Sequence, residues 1–322
     1  FCAEHDIPWE RCGKVVVATS EDEVTRLDQI QERAAANLIA CERIDRQQLL
    51  ELEPAAAGVA ALQVPGTGIV NYRSVCQTMA ELFTDLGGDL RLDFEVSKIR
   101  SVGNTVEIMD RAGQRLVAGG MINCAGLFSD RICRLAGGQT NLRVVPFRGE
   151  YYELALSRQQ LCRNLIYPVP DPAFPFLGVH FTRMIDGGVE CGPNAVFALA
   201  RNGYRWRDIR LTDLAETLSF SGFQKLAGKH WRMGLAEMHR SLSKRAFVKA
   251  LQRLIPSLKS RDLIPGRAGV RAQAVTPDGD LYDDFLVVPS HRGIHVLNAP
   301  SPAATASLAI ASQVADEFEH LD

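Results

Sequence analysis

An α/β fold in two domains, with α+β mixing in the middle of the chain, is what this sequence predicts, and three observations predict it. Asn71 to Asp130 reads as helix, strand, hairpin and buried strand leading into a helix, the alternation that builds α/β units. Arg143 to Gly192 is rich in strand formers and proline, as in "VVPFRGEYYEL" and "NLIYPVPDPAFPFLGVHFT", which indicates Pro-bounded strands of a large mixed sheet. The chain has 322 residues, 46% of them apolar, enough for more than one core.

Each element has its own local reason. Lys14 to Ala18 is an apolar run of strand length. Ser20 and Glu23 have the spacing of a capping box before a helical stripe of Val24, Leu27, Ala34 and Leu38. Asp45 with Gln48 opens a short helix that Pro54 ends. Ala60 to Val64 is a strand before the turn "PGTG". Asn71 caps a helix with Val75, Met79, Leu82 and Leu86 on its apolar face, and Gly87-Gly88 stops it. Leu90, Leu92, Phe94 and Val96 alternate as a strand does. Thr105 to Met109 and Arg115 to Val117 form a hairpin around "DRAGQ", and the buried strand Met121 to Ala125 runs to a helix from Ser129. Leu211 to Leu254 is mostly helical, and a hairpin, Leu286 to Pro289 with Gly293 to Asn298, precedes the last helix.

Composition narrows the function. A net charge of −2 and the lack of basic–aromatic motifs exclude a nucleic-acid partner. No apolar run is long enough to span a membrane. The eight cysteines form no CxxC pair and read as reduced, mostly buried thiols, so a cytoplasmic setting is expected. Scattered histidines without HExxH argue against a metal, and no GxSxG elbow appears. Arg201 to Arg261 carries 14 Lys and Arg against 4 Asp and Glu. That excess is either a set of solvated helix faces or a docking surface for an anionic membrane.

Two turns share one form. "NCAG" and "NAPSP" each follow an apolar strand and precede a helix, and their small residues leave the backbone open to approach. This suits either close helix–strand packing or a nucleotide-like ligand whose phosphates meet backbone N–H groups. His180, in "FLGVHFT", shares a strand face with Gly178 and Thr182, opposite Leu177 and Val179. It is either a satisfied core histidine or a general base.

The segments "CGKVVVAT", "NYRSV", "INCAGLFSDR", "PFRGEYYEL", "YPVPDPAFPFLGVHFT", "GPNAV", "SLSKRAFVKALQRLIPSL", "AGVRAQAV" and "HVLNAPSPAATASLAIA" run in order over nearly the whole chain. In them the sequence resembles the D-amino-acid-oxidase-type FAD-dependent oxidoreductases, and within these the branch that acts on L-2-hydroxyglutarate. The resemblance implies a two-domain fold of the glutathione-reductase-2 type: a truncated FAD domain beside a substrate domain on a large mixed sheet. Residues 1–68 and 137–262 would form the substrate domain, and residues 69–136 and 263–322 the FAD-binding domain. The GxGxxG turn that such proteins use for the FAD pyrophosphate is not in this sequence, so the chain reads as a fragment of a longer protein, with an exposed apolar sheet edge expected where the first strand would pair.

The resemblance also implies residue roles. Val96 would meet the adenine end of FAD through its backbone, Ala125 and Gly126 would line the dinucleotide, and Asn298, Ala299, Pro300, Ser301 and Pro302 would lie by the isoalloxazine. Arg271 would hold the substrate α-carboxylate with a planar bidentate fork, and His180 would take the C2 hydroxyl proton. Tyr151 and Tyr167 are further substrate candidates, and Arg148 and Arg183 are candidates for the second cation that a dicarboxylate needs. The implied reaction is oxidation of a small dicarboxylic 2-hydroxy acid, (S)-2-hydroxyglutarate, to 2-oxoglutarate. Electrons would pass to oxygen or to a quinone, with peripheral docking on the inner membrane. An amine or amino-acid oxidase, a glycerol-3-phosphate-type dehydrogenase and a non-catalytic fragment remain the alternatives.

Overall fold

The structure is a computed structural model that describes residues 1–171, 178–300 and 302–321. It divides into two compact units, each assembled from three stretches of chain. The first holds Phe1–Leu90, Gly149–Val196 and Leu235–Gly269; the second holds Arg91–Arg148, Phe197–Gly234 and Val270–Asp322. Two long strands, Arg143–Leu154 and Leu263–Val275, each begin in one unit and end in the other.

The first unit is built on a mixed sheet. Its strands follow in the order Gly149–Leu154, Val189–Gly192, His180–Arg183, Leu165–Pro168, Lys14–Ala18, Ala60–Val64 and Glu42–Asp45. Neighbours are antiparallel except Leu165–Pro168 with Lys14–Ala18, which are parallel with Tyr167 opposite Val16. Alternation along the strands gives the sheet two apolar faces. Val15, Val17, Ile166, Phe181 and Cys191 pack in one core with Phe247, Leu251 and Leu254 of the helical segment. Val16, Ala18, Leu62 and Val169 face the other way and pack with Leu27 of the Glu21–Ala36 helix.

The second unit carries two three-stranded sheets. One is the meander Val96–Val102, Thr105–Asp110 and Arg115–Ala118. In the other, Gly293–Asn298 lies between Leu286–Ser290, antiparallel, and Met121–Asn123, parallel. Met121–Asn123 stands at the edge, and its Ile122 is 43% exposed. Val145, Leu226 and Val275 form a small core with Phe197, Phe220 and Phe223.

Several local expectations differ from the structure. Asn71 caps its helix through Oδ1, and Asp45 with Gln48 forms the full capping box, as the spacing predicts. Ser20 makes no side-chain cap; Glu23 reaches back to the N–H and hydroxyl of Thr19 instead and is buried there against Arg253. The alternation from Leu90 to Val96 forms no strand. Leu90 and Leu92 are 51% and 78% exposed, Asp93 has φ +58°, and the strand starts only at Val96. All eight cysteines are free thiols, but only Cys133, Cys162 and Cys191 are buried.

Candidate active site

In the first unit, three neighbouring strands bring together residues far apart in sequence. His180 lies opposite Gly192, and the register that pairs Ile166 with Phe181 carries Tyr167 to His180. The two rings stack, with centroids 4.0 Å apart and planes at 21°. His180 is buried, and its Nδ1 lies 2.9 Å from the carbonyl oxygen of Gly178. A carbonyl only accepts, so Nδ1 carries the hydrogen and the neutral ring has its lone pair on Nε2. Thr182, two residues on, shares the face. Burial raises the Tyr167 phenol above its ordinary range. Lys14 Nζ stands 5.2 Å from the centroid of the Tyr167 ring.

Gly192 keeps this row open. Its φ is +142°, and a Cβ there would come within 2.8 Å of Glu150 O and 3.3 Å of Tyr151 Cδ1. Tyr151 thus approaches the strand of Gly192 from one side while His180 pairs with it from the other. Arg183 does not join them. Alternation turns it to the opposite face, where Nη2 donates to Glu10 at 2.6 Å. Leu177, expected opposite His180, lies outside the described residues.

The second unit holds the remaining candidates. Arg148 is fully buried, its guanidinium 4.4 Å from the centroid of Trp206. Arg271 is half-buried on its strand. The turns at the ends of Met121–Asn123 and Gly293–Asn298 are each held by a buried asparagine. Asn123 accepts from the N–H of Ala125, donates to Ser129 O at 2.8 Å and donates to Nδ1 of His295 at 3.0 Å. His295 is fully buried, and its Nε2–H donates to Ser290 Oγ at 2.8 Å. Asn298 donates to the carbonyls of Tyr282 and Asp284. The Ala125 N–H expected to approach a ligand is therefore engaged within the turn, and the Asn298 amide is a clamp behind its own turn. Ala125, Gly126, Ala299 and Pro302 are exposed, while Val96 and Pro300 are half-buried. Ser301 lies outside the described residues.

Beside "NCAG" sits a buried ion cluster. Arg201 donates to both oxygens of Asp130 and, at 2.6 Å, to the carbonyl of Leu127, while Arg134 lies 3.4 Å from Asp130. Burial alone would raise the Asp130 carboxyl, but the Arg201 and Arg134 charges and the N–H of Val144 outweigh it and hold the group below its ordinary value. Nothing in local sequence marks this cluster, because its partners lie about 70 residues apart. Among the described residues, no group of three His, Cys, Asp or Glu side chains is placed to hold a metal, and no helix is long and apolar enough to cross a membrane.

A mixed α/β fold with adjacent parallel strands that end at small, exposed turn residues suits a dinucleotide ligand. The chain belongs to the family described as DAO, FAD dependent oxidoreductase, whose model matches residues 1–317. It is 49% identical to the L-2-hydroxyglutarate dehydrogenase of Indibacter alkaliphilus, over 98% of this chain and 79% of that protein. It is 46% identical to the protein of that name from an Escherichia coli O17:K52:H18 strain, over 100% of this chain and 76% of the relative. Its fold matches the FAD-bound L-alpha-glycerophosphate oxidase of Mycoplasma pneumoniae with a TM-score of 0.77 at 18% identity, covering 97% of this chain and 74% of that one.

The residues present fit FAD. Met121–Asn123 and Gly293–Asn298 are adjacent and parallel, and the space beyond the carboxyl ends of such strands is where dinucleotides bind. At Gly126, with φ +52°, an added Cβ would meet nothing within 4 Å, so the turn offers bare backbone to a ligand. Ala125 and Gly126 would hold the dinucleotide there.

Proposed function

We propose that this chain oxidises (S)-2-hydroxyglutarate to 2-oxoglutarate with FAD. One observation carries the reading: 46–49% identity over 98–100% of the chain to two L-2-hydroxyglutarate dehydrogenases. FAD, when bound, supplies the acceptor for the hydride that leaves C2. The His180 ring supports the matching proton step: with its Nδ1 hydrogen fixed on Gly178 O, Nε2 takes the proton of the C2 hydroxyl. The electron pair of that O–H bond forms the new C=O bond as the hydride departs. Tyr167, stacked on the imidazole, holds the plane of the base.

The other roles are assigned residue by residue, each within its own unit. Arg271 grips the α-carboxylate with a bidentate fork, and Tyr151 and Arg148 line the substrate. Val96, Ala125, Gly126, Asn298, Ala299, Pro300 and Pro302 support FAD, Asn298 from behind its turn. Residues 1–68 and 137–262 act as the substrate domain, and residues 69–136 and 263–322 as the FAD domain. Electrons leave to a quinone or to oxygen, with peripheral docking at an anionic membrane. The basic segment supports docking less than its sequence does, because Arg201, Lys225, Lys229, Arg240 and Arg253 pair with carboxylates.

A substrate panel tests the reading. Anaerobic (S)-2-hydroxyglutarate bleaches the flavin band of the FAD-loaded protein, and glycine, sarcosine and glycerol 3-phosphate leave it. Bleaching by one of those three and not by 2-hydroxyglutarate would overturn it.

A further inference from the structure

We infer that Lys14 binds the distal carboxylate of the substrate and so sets the preference for a dicarboxylate; this rests on the 2-hydroxyglutarate reading above. Lys14 opens a strand whose next four residues are all buried. Its side chain shares a sheet face with Val16, Tyr167, His180 and Thr182, because Val16 is opposite Tyr167 and the register carries Tyr167 to His180. The ammonium stands 5.2 Å from the Tyr167 ring centroid, and that centroid is 4.0 Å from the imidazole of His180. Ammonium and imidazole therefore both lie against the Tyr167 ring, on the strands either side of its own, separated by no more than the sum of the two ring contacts.

The charge itself calls for an anion. Burial pushes the Lys14 ammonium down from its ordinary range, and no neighbouring carboxylate counters it. Among the described residues, no ion pair involves Lys14; its one charge contact is with the face of Tyr167. The aromatic face holds an ammonium in place and leaves its hydrogens for a stronger acceptor. Arg183, one of the two arginines expected to supply a second cation, pairs with Glu10 on the opposite face of the sheet.

The test compares two substrates of equal chain length, 2-hydroxyglutarate and 2-hydroxypentanoate, on the FAD-loaded enzyme. Lys14→Met lowers the preference for 2-hydroxyglutarate over 2-hydroxypentanoate, as a ratio of kcat/KM values, about 30-fold, through KM for the dicarboxylate. Lys14→Arg restores most of the preference. Calorimetry gives the same answer without turnover: glutarate binding weakens in Lys14→Met while pentanoate binding does not. If the methionine variant does not fold, Lys14→Gln serves the same comparison. Equal losses on both substrates, or no loss on either, would overturn the assignment. A wild-type enzyme that binds glutarate through Lys14 yet leaves 2-hydroxyglutarate unoxidised would sink the functional reading and not the carboxylate site.

Discussion

Replacing Arg201 by methionine leaves Asp130 ionised and buried without its main partner. The two side chains are 2% and 1% exposed, so neither charge is relieved by water. Removing one member of such a pair costs about 3–5 kcal/mol, mostly the penalty of the stranded charge. Asp130 keeps Arg134 at 3.4 Å and the N–H of Val144 at 3.2 Å, which places this case near the lower end of that range, at about 3 kcal/mol. The lost bond to Leu127 O adds about 1 kcal/mol. Urea unfolding followed by near-UV circular dichroism measures the change. A double-mutant cycle with Asp130→Asn separates the pair from the packing: the double variant is less destabilised than the two single losses added together. An Arg201→Met variant within about 0.5 kcal/mol of wild type would refute the reasoning, since only a cluster open to solvent tolerates that change.

Two further outcomes follow from the same geometry. Burial lowers the proton affinity of His295, whose Nδ1 accepts from Asn123, so the unfolded chain binds the proton first. Its contribution is present above the ordinary histidine value of about 6.5 and is lost as pH falls through the lower folded value, so the thermal midpoint drops on acidification; His295→Gln flattens that slope, and an unchanged slope argues against the assignment. Gly192→Ala forces a Cβ to within 2.8 Å of Glu150 O at a φ of +142°, so melting shows a loss of about 1–3 kcal/mol, and a neutral result would mean that the strand shifts freely.

What the sequence makes legible is whatever is decided locally. Asn71 and Asp45 cap the helices that their side chains predict, because a cap needs only the next three residues. The hairpins around "DRAGQ" and "SHRG" form for the same reason. Leu90 to Val96 shows the limit: alternation is necessary for a half-buried strand, but among the described residues no strand pairs with Leu90 and Leu92, and both stay exposed. The site shows it more sharply. His180 is visible as a candidate, but its stacking on Tyr167 depends on a register between strands, and Lys14 joins them only because a parallel strand is inserted beside Leu165–Pro168. Arg183 was a reasonable second cation by type, and one step of strand alternation sends it to Glu10.

The most direct measurement is single-turnover flavin reduction by (S)-2-hydroxyglutarate carrying deuterium at C2, in wild type and in His180→Asn. A primary isotope slowing in wild type, and a further loss of about 100- to 10,000-fold in the variant with little change in glutarate affinity, is the predicted result. Equal reduction rates in the two proteins, or flavin reduction insensitive to deuterium at C2 when the chemical step limits, would contradict it.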